Sequence, residues 1–135
     1  MNLHQFICKF VAVLIFAGFG AESHTTELTT DLHGTEITYH YSSGRQYNVK
    51  FTAGGASYRY LSGSKPNLWW GPFPYQAIQV EQEVYFLSWF EQGYGDYVTL
   101  LVNFNEKSIH GSAILRGEEV HFHKAQLVDW NRPSR

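Results

Sequence analysis

The sequence predicts an all-β fold, in which about eight short antiparallel strands run up and down in a meander that closes into a barrel. Three observations carry this expectation. Runs of alternating side chains recur at short, even spacing between residues 35 and 128, and turns bearing glycine, serine or asparagine separate them. No stretch beyond residue 24 has a convincing helical period, and no segment repeats another. Even spacing with hairpin turns fits a barrel or a sandwich. Eight strands is about the number that just closes around side chains or one small ligand, which favours the barrel.

Taken in order, Thr35 to Tyr41 alternates Ile37, Tyr39 and Tyr41 against Thr38 and His40, so the two tyrosines share a face. Ser42-Ser43-Gly44 is a turn, and Gln46 to Thr52 follows with Tyr47, Val49 and Phe51 on one side. Ala53-Gly54-Gly55 turns the chain into a third strand, Ser57 to Leu61. Ser62 to Pro74 holds three prolines, two glycines and the pair Trp69-Trp70, and cannot be a central strand throughout. Its tryptophans suit either a lid over a barrel mouth or a plug in one barrel end. Tyr75 to Val80 and Val84 to Glu91 make a hairpin around Glu81-Gln82. Tyr97 to Phe104, Lys107 to Leu115 and Glu119 to Val128 complete the series.

The hairpin from Glu83 to Asp96 draws most attention. Val84, Phe86, Ser88 and Phe90 face one way, and Tyr85, Leu87, Trp89 and Glu91 the other. Gln92 to Asp96 supplies the glycines of a hairpin loop. A carboxylate on a face with tryptophan and tyrosine lies either at a wet sheet rim or in a pocket. In a pocket, desolvation raises its pKa and lets it hold and donate a proton.

The whole chain sets bounds on function. Its 135 residues suit one domain with a real core. A net charge of −2 gives no reason to expect nucleic acid or an anionic membrane as partner. Aromatic residues make up 17% of the chain, enough to fill a barrel, line a ligand pocket, or both.

Residues 1–23 read as a signal peptide: a short first region with Lys9, then the apolar run Phe10 to Gly20, then small residues offering cleavage between Gly20 and His24. The run is shorter than the roughly 20 residues a stable anchor takes. Cleavage would remove the one cysteine, Cys8, leaving a chain stabilised by packing alone. The expected organisation is a signal peptide at 1–23, a Thr-rich leader at 24–33, the barrel at 34–130 and a tail at 131–135. The expected location is secreted or periplasmic.

Several short patterns, in order, carry a family resemblance. Tyr39-His40-Tyr41 with Gly44 and Tyr47, then Tyr58-Arg59 with Ser62-Gly63, resemble the opening of the bacterial phenolic acid decarboxylases. Ser88-Trp89-x-Glu91, Gly95-Asp96-x-Val98, Asn105-Glu106-Lys107 and His110-Gly111 are similar to the middle of that family. Tyr75 to Trp89 also resembles the MoaF domains. Both families are calycin-like (lipocalin-like) barrels, and the resemblance covers roughly Gly34 to Leu115. It implies that Tyr39 and Tyr41 would orient a substrate and that Glu91 would donate a proton, were this an enzyme.

The arginine that completes the decarboxylase set has no match here, its pair falling on Leu68-Trp69, with Lys65 displaced by three residues. The decarboxylases also have a C-terminal extension and are cytoplasmic, whereas this chain is expected to be exported. A buried carboxylate without a partner is very costly. The expectation is therefore a MoaF-like exported barrel that binds a small aromatic or apolar molecule without catalysis.

The first alternative is a decarboxylase-like lyase using Glu91, Tyr39 and Tyr41, and the second a plugged barrel serving as an interaction domain. The candidate ligand-binding residues are Tyr39, Tyr41, Tyr47, Arg59, Trp69, Trp89 and Glu91, with Arg59 able to reach Glu91 if its face is inward. His121-x-His123 has a spacing that metal sites use, but reads here as a polar solvated face, so no metal and no cofactor are expected. The expected partner is a small molecule, with no nucleic acid and no membrane after cleavage; a homodimer is left open.

Overall fold

A computed structural model describes residues 26–134, which are all-β, with no helix among them. The signal peptide expected at residues 1–23 lies outside this range. Nine strands, one more than expected, form one antiparallel sheet: β1 (Glu36–Tyr41), β2 (Gln46–Thr52), β3 (Gly55–Tyr60), β4 (Trp69–Phe73), β5 (Tyr75–Glu81), β6 (Val84–Glu91), β7 (Asp96–Asn103), β8 (Ser108–Leu115) and β9 (Glu119–Asn131). They lie in the order β4-β3-β2-β1-β9-β8-β7-β6-β5. The first strand of the meander pairs with the last, as barrel closure demands, and the seam falls between β4 and β5.

The additional strand, β4, comes from the Pro-rich stretch expected to be loop. It pairs with β3 only and stands at a sheet edge, where Pro72 has no ladder bond to supply on its free side. Close approach of the two backbones depends on glycine. A Cβ on Gly55 (φ +137) would come within 2.4 Å of the Phe73 carbonyl oxygen. Pro74 separates β4 from β5, so one bent stretch of chain pairs first with β3 and then with β6 and draws the barrel nearly shut.

Inward faces follow the alternation of the sequence. Ile37, Tyr39, Val49, Phe51, Tyr85, Leu87, Trp89, Leu100, Val102, Ile109, Ala125 and Leu127 form one buried core. At one end this core is capped by the residues expected as a leader. The Thr29 amide donates to the Ala77 carbonyl on β5, and the Gly34 amide donates to Phe51 on β2. Between these two anchors Leu32 is fully buried. At the same end Arg132 pairs with Glu83, donates to the Tyr85 hydroxyl at 3.0 Å and lies over the Phe104 ring.

The outward face of β6 to β9 is unusually apolar. Phe90, Tyr97, Ile114 and Val120 sit side by side across four strands and are 50%, 43%, 38% and 62% exposed.

Candidate functional site: a tyrosine-lined cavity at the barrel mouth

The end of the barrel opposite Leu32, where the β1–β2, β6–β7 and β8–β9 turns cluster, contains a cavity of about 640 Å³. That is within the range of small-molecule sites. Tyr39, Tyr41, Tyr47, Tyr58, Tyr60, Trp89 and Val98 supply most of its aromatic and apolar wall. Five of these residues are tyrosines because β1, β2 and β3 each turn an alternating Tyr-x-Tyr face or a single tyrosine inward at the same height.

The rings pack on one another. Tyr39 and Tyr47 are stacked with centroids 5.5 Å apart, and Tyr41 meets both edge-on. Ring stacks of this kind hold the wall in one shape. Burial pushes the Tyr39 phenol well above its ordinary value and the Tyr41 phenol up to about 12, so both are neutral donors at physiological pH.

Glu91, the last residue of β6, turns into this wall beside the β6–β7 turn and is 3% exposed. Both its oxygens are engaged: the Trp89 indole N–H donates to Oε1 at 3.1 Å and the Tyr58 hydroxyl donates to Oε2 at 2.9 Å. Burial raises its pKa, the two donors pull it partly back, and the nearby Asp96 adds to the rise. Asp96 is itself held by the Arg116 amide at 2.8 Å. A carboxyl group held this way is an acceptor for neutral donors and a candidate proton carrier.

Of the residues expected at a ligand site, the structure brings together Tyr39, Tyr41, Tyr47, Trp89 and Glu91. Arg59 and Trp69 are elsewhere. Alternation along β3 turns Tyr58 inward and Arg59 outward, where its Nε donates to Asn48 Oδ1 at 3.0 Å. Trp69, opposite Arg59 in the ladder, has the Lys50 ammonium and the Arg59 guanidinium over its ring, 4.1 and 4.8 Å from the centroid. It is neither lid nor plug, but part of an outer clamp holding edge strand β4. Trp70 packs inward instead, 5.2 Å from the Tyr94 ring in the loop after Glu91.

Four residues of the cavity rim were not among the candidates: Arg45, His121, His123 and Lys124. Arg45 lies in a turn, where side-chain direction depends on turn geometry that alternation does not report. His123 packs its ring 5.0 Å from Tyr41, and burial lowers its pKa, with His121 and Arg45 lowering it further. His121 is 3.1 Å from Glu119. His110 points to the other face of the sheet, opposite Lys124 in the ladder, and so does not join the histidine pair. Among the described residues no group of three or more metal-ligating side chains converges.

Comparison with known proteins places this barrel in context. No curated protein matches the sequence. A crystal structure of a Burkholderia vietnamiensis protein described as a candidate beta-lactamase superposes with a TM-score of 0.62 over 72% of this chain and 93% of that one. At 16% identity it shows a shared fold and nothing about activity. A sequence model of the MoaF N-terminal domain matches residues 14–113, the span that carries strands β1 to β7, most of β8, Glu91 and every tyrosine of the cavity wall. The chain belongs to the MoaF N-terminal domain family.

Proposed function

We propose that this protein is an exported carrier or sensor barrel that binds a small molecule with an aromatic or apolar body in the tyrosine-lined cavity, without catalysis. The observation that supports it most is the cavity itself: about 640 Å³ walled by packed tyrosines and Trp89. A plugged barrel would have filled that space with side chains. Export rests on the signal-like residues 1–23.

Trp89 gives a direct test, because its indole lines the cavity and donates to Glu91. Titration of the purified protein with a neutral bicyclic aromatic should quench tryptophan fluorescence saturably, and Trp89→Phe should lose most of that quench. A flat titration confirmed by calorimetry would remove the binding reading. N-terminal sequencing of protein recovered from periplasm or medium tests export; the mature chain should begin between Ala21 and His24.

One observation favours a second reading, a decarboxylase-like lyase. Glu91 is a buried carboxyl with a raised pKa, facing an aromatic cavity together with Tyr39 and Tyr41. That constellation is suited to donating a proton to a bound substrate. The first reading is preferred because both Glu91 oxygens are already engaged.

A further inference from the structure

The charges around the cavity are unevenly placed. Its basic lining residues are Arg45, Lys124, His121 and His123, contributed by the β1–β2 turn and the outer end of β9. Its acidic lining residues are Glu91 and Asp96. Lys124 is on the outward face of β9, opposite His110; Arg45 is in no ion pair among the described residues and sits beside the Tyr47 phenol, a neutral group. Glu119 is outside the cavity lining, next to His121. The chain as a whole is acidic, at −2, so this basic rim runs against the overall charge. An unpaired cation at the entrance of an aromatic cavity favours an anion there and draws it in from solution.

The Glu91 side of the cavity has the opposite preference. Glu91 already accepts two hydrogen bonds and has Asp96 for a neighbour. A ligand anion placed there would be desolvated against a carboxyl group, which is strongly unfavourable. The tyrosine wall between the Arg45 and Glu91 sides is suited to a flat apolar body.

We infer that the ligand is an amphiphilic anion, held with its aromatic or apolar body against Tyr39, Tyr47 and Trp89 and its carboxylate or sulfonate head at Arg45. This rests on the binding function proposed above and adds the ligand's charge and orientation. It differs from an arrangement in which an acid group enters first and meets Glu91.

A matched pair of dyes separates the two claims. 1-Anilinonaphthalene-8-sulfonate and N-phenyl-1-naphthylamine share one aromatic frame and differ in the sulfonate. The sulfonate dye should bind about tenfold more tightly at low salt, the equivalent of one modest ion pair, and this advantage should shrink as salt is added. Arg45→Gln should remove most of the advantage and Lys124→Gln, on the outer face, little of it, with the neutral dye unchanged in both. Phe90→Ser, on the apolar outer face, should alter neither dye; a loss there would put the dyes on the outside and overturn the inference. Equal affinity for the two dyes, unaffected by Arg45→Gln, would refute the anionic head while leaving cavity binding intact. If the folded protein takes up neither dye, the binding function falls as well.

Discussion

Tyr58 on β3 donates its hydroxyl hydrogen to Glu91 on β6 at 2.9 Å, across the inside of the barrel and without a ladder bond between the two strands. This bond and the one from Trp89 are the protein donors to an otherwise buried carboxyl. The place that Arg59 would take if its face were inward is held by a neutral phenol. That choice sets no positive charge against the carboxyl and leaves the proton on Glu91 tunable by burial.

Removing the Tyr58 hydroxyl should therefore be felt at Glu91. The bond lowers the carboxyl pKa against the larger effect of burial, so Tyr58→Phe should move the Glu91 titration further up. Carbon-detected NMR of the side-chain carboxyl checks this. The stability loss should be about 1–3 kcal/mol, the range for leaving a buried polar group short of a partner. A Glu91 midpoint that stays in place would mean that the phenol does not hold the carboxylate.

The pH dependence of stability carries two opposite signs. Glu91 has a raised pKa in the folded state, so between its unfolded value and that raised value the folded chain binds more protons than the unfolded one. Stability from this group is present at acid pH and declines as pH rises through that window. His123 has a lowered pKa, so its contribution is present above the ordinary histidine value and is lost as pH falls below it. In denaturant titrations across weakly acidic pH, Glu91→Gln should cancel the first slope and His123→Gln the second. A Glu91→Gln curve parallel to that of the parent protein would contradict the assignment.

The two faces of each strand were legible in the sequence because period-2 alternation is a local property: Tyr39 with Tyr41, and Trp89 with Glu91, share an inward face as the residue order requires. What alternation does not report is which charged residue reaches a buried partner. Arg59 was a candidate for Glu91 because a buried carboxylate calls for a cation, yet its neighbour Tyr58 faces inward and satisfies the oxygen. Arg45 was hidden by its place after Gly44, whose φ of +89 re-aims the chain. Strand β4 was hidden by Gly71 and Pro72, which deny a central strand but tolerate an edge. Leu32 stands alone among polar residues, without the periodic neighbours that would have marked it as core.

That single leucine makes its own prediction. Leu32 is fully buried between Thr29, bonded to β5, and Gly34, bonded to β2. Leu32→Ala should cost about 2–5 kcal/mol, as for other fully buried leucines. Leu28→Ala, at a side chain 56% exposed, should stay within roughly 0.5 kcal/mol. Equal, small effects of both substitutions by urea unfolding would mean that residues 26–33 do not cap the core.

Trp69 and Trp89 should separate cleanly in binding. Trp69 is clamped on the outside by Lys50 and Arg59, so Trp69→Ala should loosen β4 by about 1–2 kcal/mol through two exposed cation–π contacts. It should leave ligand affinity unchanged. Trp89→Ala should abolish binding, since it removes cavity wall and one donor to Glu91 together. Calorimetry with one bound ligand checks both, and a Trp69→Ala variant that cannot bind would move the site toward the outer surface.

The last expectation concerns turnover. Decarboxylation of a hydroxycinnamate needs a proton delivered to the carbon beside the departing carboxylate, so the acid and that carbon must lie together. Here the candidate acid, Glu91, is bonded through Oε1 and Oε2, while the cation that would hold a carboxylate, Arg45, is in the β1–β2 turn. A hydroxycinnamate oriented by Arg45 would keep its carboxylate away from the proton and present its ring to Tyr39 and Tyr47. Incubation with ferulate or p-coumarate should therefore yield no vinylphenol above background, while either acid competes with the sulfonate dye for the cavity. Steady vinylphenol release that disappears in Glu91→Gln would show that the acid reaches the substrate after all. It would establish the lyase in place of the binding protein.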